Sequence, residues 1–278
     1  MIRPFKRFLL LALLAGLVVL SFAFFKGRNI TKDNSTPDQT VPTEEGSLRA
    51  LELEYIRYAV SPDLFDYTKI EIPTIKNIAT STDSSGNYLS LSIFKGQPIK
   101  NKGIRAELAI DFPYQEGDTV QYSWKFRIPK DFPSDAPQNR WWLFADWHVQ
   151  PDTSKGESWD NFPSYSSPIL VGYGNLDGKD MISISTGIDG SKEGIIPRGL
   201  IPFTREVWHT IRMVVKWSQK DNGEVNVYFD GSTKPVVSTT GPNMVNAVQH
   251  YMKIGMYRNR DIETNNTVHI KDIRIEKI

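Results

Sequence analysis

Residues 209–231, HTIRMVVKWSQKDNGEVNVYFDG, decide the fold class. Apolar and polar side chains alternate along 209–218 and again along 224–231, and the turn-forming letters DNG separate the two runs. Successive side chains of a β-strand point to opposite faces, so alternation with a period of two indicates a half-buried strand. The stretch therefore predicts two strands joined by a turn.

Seven further stretches show the same or nearly the same alternation: YLSLSIF, IRAELAIDF, TVQYSWKFRI, RWWLFADWHV, MISISTGI, YMKIGMYR and TVHIKDIRIEKI. Many short strands with turns between them are typical of a β-sandwich or a jelly roll. One short helix is predicted over residues 48–58. The sequence thus predicts an all-β fold, a jelly-roll β-sandwich, over residues 48–278.

The N-terminus predicts a membrane-spanning or signal helix over residues 1–26. A basic start, MIRPFKR, leads into an apolar run of eighteen residues, FLLLALLAGLVVLSFAFF. That run is longer than the roughly 7–15 residues of a signal-peptide core and close to the roughly 20 that span a bilayer. An uncleaved signal anchor and a cleaved signal peptide therefore both stay open. Residues 27–47 are polar and contain two prolines, which predicts a flexible linker to a domain on the extracellular face.

The composition excludes several kinds of function. Lys and Arg number 33 and Asp and Glu 32, so the chain lacks the basic excess of a nucleic-acid-binding protein. It has no cysteine, and its four histidines show no metal-ligand spacing, so no metal or other cofactor is predicted. A calcium ion that braces a loop stays open. A G-x-S-x-G nucleophile motif and a Gly-rich phosphate loop are both missing from the sequence.

Three predicted strands share one arrangement, in which one face is apolar and the other mixes ionisable and aromatic groups. Side chains two residues apart lie on the same face of a strand. The mixed faces are Arg105 with Glu107, Trp142 and Phe144 with Asp146 and His148, and Lys253 with Tyr257. Aromatic rings can pack against the C–H faces of sugars while polar groups bind the hydroxyls. We therefore predict a carbohydrate-binding groove.

Each candidate in this groove also has a purely structural interpretation. His148 is a candidate acid or base because histidine titrates near neutral pH, but a lone histidine on a strand is usually a structural hydrogen-bonding group. Arg105 and Glu107 could form a surface ion pair rather than a substrate clamp. Tyr257 could be a packing residue whose hydroxyl finds a partner. The residues alone leave these alternatives open.

The ordered set IRAEL, KFRIPKDFP, FADWH, WHTIRMVVKWS with GEVNVYFDG, and YMKIGMYR resembles polysaccharide lyases of the heparin lyase and glucuronan lyase type. The resemblance covers roughly residues 85–275. It implies a concanavalin A-like jelly roll and β-elimination on a uronic-acid polysaccharide. It also implies that His148 and Tyr257 act as acid and base, and that Arg105 and Lys253 handle the uronate carboxylate.

The resemblance implies a set of substrate-binding residues as well. Glu107 would orient Arg105, and the other members of the predicted set are Trp142, Phe144, Asp146 and Arg258. Asp146 departs from the family pattern, which commonly has glutamine at this position. An ionised aspartate would repel an anionic substrate. Three explanations stay open: Asp146 pairs with an arginine or lysine, it is protonated, or the substrate or activity differs.

Two other functions remain possible at this stage. The first is a membrane-tethered, lectin-like carbohydrate-binding protein without catalysis, because fold alone does not establish activity. The second is a glycoside hydrolase, which needs two carboxylates roughly 5–9.5 Å apart. The nearest such pattern is Glu107 with Asp111. The expected partners are a uronate polysaccharide and, through the N-terminal helix, a membrane. The near-neutral charge favours an unsulfated polymer.

Overall fold

Two antiparallel β-sheets enclose one hydrophobic core in the computed structural model, which describes residues 44–133, 141–163, 165–187 and 196–278. The described residues form one α-helix, α1 (Glu44–Ile56), and fourteen strands. The strands are β1 (Thr68–Glu71), β2 (Ile78–Asp83), β3 (Gly86–Ile93), β4 (Ile104–Ile110), β5 (Thr119–Arg127), β6 (Trp142–His148), β7 (Ile169–Leu176), β8 (Lys179–Thr186), β9 (Ile196–Pro202), β10 (His209–Lys216), β11 (Glu224–Phe229), β12 (Val237–Thr240), β13 (Tyr251–Arg258) and β14 (Asn266–Lys277).

The order of strands places β4, β13 and β6 side by side. The first sheet runs β1-β4-β13-β6-β7-β8-β9 and the second runs β12-β11-β10-β5-β14-β3-β2. The prediction of an all-β sandwich is confirmed. Segments that are far apart in the sequence, near residues 105, 148 and 257, thus come to lie on neighbouring strands.

Alternating burial explains why the predicted strands form. Along β5 every second side chain is buried, and these are Val120, Tyr122, Trp124 and Phe126. Its neighbour β10 shows the same alternation. Burying one face of each strand supplies the driving force for the sandwich, at about 25 cal/mol per Å² of apolar surface. All nine strands predicted from alternation are present within two residues at each end.

Five strands were not predicted, namely β1, β2, β7, β9 and β12. β7 has the sequence ILVGYGNL, which is nearly continuously apolar and contains two glycines rather than alternating. β9 has the sequence IPRGLIP, and its prolines are tolerated because it is an edge strand. The predicted short helix is present, but α1 begins at Glu44, inside the predicted linker.

The predicted signal or anchor helix over residues 1–26 lies outside the described residues, as does most of the predicted linker. Within the part of the chain that the structure describes, no helix is both long enough and apolar enough to cross a bilayer.

A β-bulge in β6 decides which side chains reach the core. Leu143 pairs with Gly172 of β7 and Ala145 pairs with Val171, so Phe144 is an extra residue on β6. One extra residue shifts the period-two alternation by one position, and every later side chain changes face.

The bulge corrects the face predicted for β6. Trp142 and Phe144 point into the core before the bulge, and Trp147 does so after it. Asp146 and His148 therefore lie on the opposite face from Trp142 and Phe144. The prediction that these four side chains share a face is wrong, because strict alternation does not account for an inserted residue.

Candidate active site

An open groove of about 840 Å³ lies on the face of the first sheet that points away from the core. Four of the residues predicted to act together line this one groove, although they come from three separate strands. They are Arg105 of β4, His148 of β6, and Lys253 and Tyr257 of β13. The core-facing side of β4, in contrast, is apolar and buried. The groove is large enough to hold a short piece of a polysaccharide chain.

His148 is held as a neutral imidazole. Its Nδ1 lies 3.0 Å from the backbone oxygen of Val149, and a carbonyl oxygen only accepts, so Nδ1 carries the hydrogen. The lone pair is therefore on Nε2. Burial lowers the pKa of His148 below its usual 6.5, and the nearby charge of Lys253 adds to the effect, while Asp146 opposes it.

Arg105 is fixed by contacts on several sides. Its Nη1 donates to Oε2 of Glu107 at 3.0 Å, and the guanidinium carbon lies 4.2 Å from the centre of the Tyr257 ring. The turn before β4 allows this packing, because a Cβ at Gly103 would lie 2.5 Å from Cε2 of Tyr257. Burial lowers the pKa of Arg105, but Glu107, Tyr257 and Glu71 outweigh it and raise the pKa overall. The predicted pairing of Glu107 with Arg105 is present, and it is buried rather than on the surface.

Lys253 shares a carboxylate with Arg105. Its Nζ donates to Oε2 of Glu71 at 2.8 Å, and Nη1 of Arg105 lies 3.7 Å from the same oxygen. Burial raises the pKa of Glu71, but Lys253, Asn101 and Arg105 together outweigh it, so the pKa is lowered. Glu71 is therefore an ionised side chain that lines the groove.

Two further carboxyl groups lie beneath the groove. Asp146 accepts a hydrogen bond from the hydroxyl of Ser167 through Oδ2, while its Oδ1 is buried without a partner. Glu107 also keeps one buried oxygen without a partner, and burial raises its pKa to about 7 despite Arg105. Among the described residues no salt bridge reaches Asp146. Pairing with an arginine or lysine therefore does not explain why aspartate stands where the family commonly has glutamine.

Two tyrosines of β13 face the groove. Tyr257 lies over Arg105 and packs edge-on against Trp141, with ring centres 4.8 Å apart. Tyr251 is the register partner of His148, and their ring centres are 5.3 Å apart. Burial, reinforced by nearby carboxylates, raises the pKa of Tyr251 well above its usual range. Both phenols thus line the groove, and Tyr251 is the one beside His148.

The structure corrects the predicted roles of Trp142 and Phe144, which do not line the groove. Trp142 packs edge-on against Phe132 with ring centres 5.8 Å apart, and Phe144 packs against Phe126 at 6.1 Å. All four rings are buried in the core. The bulge in β6 is the physical reason for this placement.

The predicted substrate-binding role of Arg258 is corrected as well. Arg258 is buried, and its Nη1 donates to the backbone oxygen of Thr264 at 2.6 Å and to the side chain of Asn266. It follows Tyr257 directly in β13, so it points to the opposite face of the strand. Arg258 therefore holds the loop between β13 and β14 rather than a ligand.

An aromatic wall, formed by Trp159, Phe162 and Tyr165, lies beside His148. Trp159, Phe162 and Tyr165 belong to the segment that follows β6, and all three line the groove. The Trp159 ring lies 6.1 Å from the His148 ring and 6.1 Å from the Phe162 ring, and the Phe162 and Tyr165 rings are 5.3 Å apart. Trp159 is 56% exposed and Tyr165 is 45% exposed, which is unusual for such large apolar groups.

Sequence reasoning missed several residues of this site. Glu71 lies on the short strand β1, whose four residues TKIE give no clear strand signal. Tyr251 is absent from the predicted set, although it lies two positions before Lys253 and therefore on the same face. Strict alternation places Trp141 in the core, yet it is 40% exposed and packs on Tyr257. The period-two rule could have found Tyr251, whereas Trp141 needed knowledge of the bulge.

The described residues contain no group of three or more His, Cys, Asp or Glu side chains that could hold a metal ion.

Comparison with known proteins gives one family and one fold. The family described as "Polysaccharide lyase" matches residues 65–274. Among solved structures, the endo-β-1,4-glucuronan lyase from the fungus Trichoderma reesei is similar, with a TM-score of 0.56 and 15% identity over 79% of this chain and 93% of that chain. Alginate lyase AlyC3 has a TM-score of 0.52 and 12% identity over 71% of this chain and 78% of that chain. A substrate complex of a family 7 alginate lyase also has a TM-score of 0.52, with 10% identity over 77% of this chain and 94% of that chain. No protein of curated function matches the sequence.

Proposed function

Because this chain belongs to the polysaccharide lyase family, we propose that it cleaves a uronic-acid-containing polysaccharide by β-elimination in the groove of the first sheet. The observation that carries the proposal is the convergence of Arg105, His148, Lys253 and Tyr257 on one open groove. Its structural neighbours include a glucuronan lyase and alginate lyases, which supports a uronate substrate.

The reaction must first make the C5 proton of the uronate more acidic. That proton lies next to a carboxylate, and its removal places further negative charge on the carboxyl group. Cations that face the carboxylate stabilise this charge in the transition state. Arg105 and Lys253 are the proposed cations, because both are fixed at the groove floor by ion pairs and so need little reorganisation.

His148 is the proposed base. Its neutral tautomer carries the lone pair on Nε2, and the lowered pKa keeps that form populated at neutral pH. Removal of the C5 proton by Nε2 forms the C4=C5 double bond as the C4–O4 bond breaks. A positioned base of this kind contributes about 10²–10⁴-fold to the rate.

A tyrosine is the proposed acid that protonates the departing O4. Tyr257 is the residue that the family resemblance implies, and its phenol shares the groove with Arg105. Tyr251 is the second candidate, because it lies beside His148 and its raised pKa keeps it protonated. A phenol that keeps its proton until O4 departs is suited to general-acid catalysis.

A carbohydrate-binding protein without catalysis is the alternative function. Two observations favour it: Glu71 pairs with Lys253 and lies 3.7 Å from Arg105, which reduces the positive charge that these cations offer a substrate, and Asp146 adds a buried carboxyl group. Both features would weaken the stabilisation of a uronate transition state. Neither feature prevents binding of an uncharged part of a polysaccharide, so the alternative predicts affinity without turnover.

The proposed site of action is the extracellular side of a membrane, with the domain tethered or secreted through residues 1–26. The apolar run and its basic flanks support this proposal. Fractionation of cells that express the full chain, followed by protease treatment of intact cells, tests it. Protection of the domain from the protease would contradict an external location.

One assay tests the proposed activity. The purified protein is incubated with unsulfated uronate polymers, and the ultraviolet absorbance of the new C4=C5 double bond is followed with and without a chelator. A lyase produces a linear rise in absorbance that His148→Ala abolishes. Binding without any rise on every polymer would favour the lectin-like alternative, and loss of the rise with chelator would contradict a metal-independent mechanism.

A further inference from the structure

The groove has two chemically different ends, which the register of the strands defines. Lys69 of β1, Ala109 of β4 and Lys253 of β13 are register partners and form one row across the sheet. On one side of this row the groove reaches Arg105 and its turn. On the other side it reaches His148, whose register partner is Tyr251.

The end of the groove that contains Arg105 is cationic. Arg105 and Lys102 line it, and Lys69 and Lys253 form the row that bounds it. Glu71 is the acidic side chain among these lining residues and pairs with Lys253. This end therefore matches a carboxylate-bearing sugar.

The end at His148 is different, because no lysine or arginine among the described lining residues lies beyond the row of Lys69 and Lys253. The acidic side chains Asp66 and Asp111 line this end instead. Asp111 accepts from the amide of Gln150 at 2.8 Å, a neutral partner that leaves its charge uncompensated.

Several aromatic side chains also line this end. Trp159 stands next to both Tyr251 and His148, with ring centres 6.4 Å and 6.1 Å away. Phe162 and Tyr165 continue the wall and also line the groove. Rings of this kind pack against the apolar C–H face of a pyranose, and they carry no positive charge that would attract a carboxylate.

We propose that the part of the groove beyond His148, lined by Asp66, Asp111 and the aromatic wall, binds an uncharged sugar next to the uronate, so that the substrate is a heteropolysaccharide in which neutral sugars separate the uronates. The inference rests on the proposed function for the identity of the uronate subsite. A homopolymer of uronates would place a carboxylate at every subsite, including the end that holds Asp66, Asp111 and the aromatic wall. Asp66 and Asp111 are exposed, so solvent and salt screen part of the repulsion, but these like charges still disfavour a carboxylate at this end relative to an uncharged sugar.

The test compares two classes of unsulfated polymer on the purified full-length protein. The spaced class is hyaluronan, heparosan and gellan, in which neutral sugars separate the glucuronates, and the homopolymer class is glucuronan and alginate. Binding is measured by affinity electrophoresis with the polymer in the gel, and turnover by the absorbance of the double bond. We expect at least one spaced polymer to bind about tenfold more tightly than either homopolymer, and to be cleaved with a correspondingly higher kcat/KM.

Variants locate the effect in the groove. Trp159→Ala should weaken binding of the preferred spaced polymer about tenfold. Trp141→Ala removes an exposed ring that packs on Tyr257 and does not line the groove, so it should affect both classes by the same factor. Asp111→Asn should improve binding of the homopolymers several-fold, because it removes a like charge. Circular dichroism of each variant checks that it is folded.

The outcomes separate the inference from the proposed function. Tight binding of a spaced polymer without turnover of any polymer supports the neutral subsite and contradicts the lyase activity. Equal or tighter binding of glucuronan or alginate overturns the neutral subsite even if these polymers are cleaved. A Trp159→Ala variant that binds every polymer as the unaltered protein does would also overturn it.

Discussion

The ammonium group of Lys253 lies 2.8 Å from Oε2 of Glu71, a carboxylate on the edge strand β1 of the same sheet, with β4 between the two strands. Arg105 approaches the same oxygen to 3.7 Å. One internal carboxylate thus contacts both cations that the proposed reaction assigns to the uronate. Substrate binding must therefore displace Glu71 or share these cations with it.

Glu71→Gln tests this competition. Removing the negative charge frees Lys253 for the substrate, so we expect KM for an anionic polymer to fall by about threefold to tenfold. The same change leaves buried Lys253 less compensated, and we expect a loss of about 1–3 kcal/mol in the free energy of unfolding. Steady-state kinetics and urea unfolding measure the two effects. Glu54→Gln, on the exposed helix α1, is the control, and a rise in KM would contradict the competition.

The pH dependence of activity should report His148. The base is active when neutral, so activity falls as the pH drops through its pKa. Because that pKa is lowered, the acid limb of kcat/KM should have its midpoint below pH 6.5. Glu107, whose pKa is raised to about 7, titrates nearby and could produce a limb of its own. A midpoint that moves in Glu107→Gln would assign the limb to Glu107 and contradict its assignment to His148.

The identity of the acid can be settled with two matched variants. Tyr251→Phe and Tyr257→Phe each remove one hydroxyl and keep the ring, so packing changes little. The variant that removes the acid should lower kcat by about 10²–10⁴-fold, whereas loss of the other hydroxyl should lower it by less than about tenfold. Stopped assays on one polymer at saturation give both values. Equal, small effects of the two variants would rule out a tyrosine as the acid.

The bulge in β6 predicts opposite consequences for two adjacent tryptophans. Trp142 is buried in the core, so Trp142→Ala should lower the free energy of unfolding by about 3–5 kcal/mol. Trp141 is exposed on the groove side, so Trp141→Ala should cost about 1 kcal/mol or less. Chemical denaturation of both variants measures the difference. Similar losses of stability in the two variants would contradict a bulge at Phe144.

Much of this architecture could be predicted from the sequence, because alternation is a local property. The faces of β4 and β13 follow directly from it, and Arg105, Lys253 and Tyr257 lie where the period of two places them. The same rule fails in β6, because the bulge depends on pairing with β7. β7 itself has no alternating pattern, so nothing in the local sequence marks the inserted Phe144.

The remaining features of the site depend on contacts between distant segments. Glu71 reaches Lys253 across 182 positions of the chain, and no local pattern encodes such a contact. The aromatic wall likewise belongs to the site only because the folded chain places Trp159 close to His148. The burial that lowers the pKa of His148 and raises that of Glu107 also arises only in the folded chain.

The central claim is that His148 removes the C5 proton. The most direct test compares the rate of double-bond formation by His148→Asn with that of the unaltered protein. The substrate is the uronate polymer that the protein binds most tightly. Asparagine can keep a hydrogen bond to Val149 but has no basic nitrogen, so turnover should fall by about 10²–10⁴-fold while the melting temperature and polymer affinity stay nearly the same. Turnover within a few-fold of the unaltered protein would show that a group other than His148 removes the C5 proton, which would contradict the proposed mechanism of the groove.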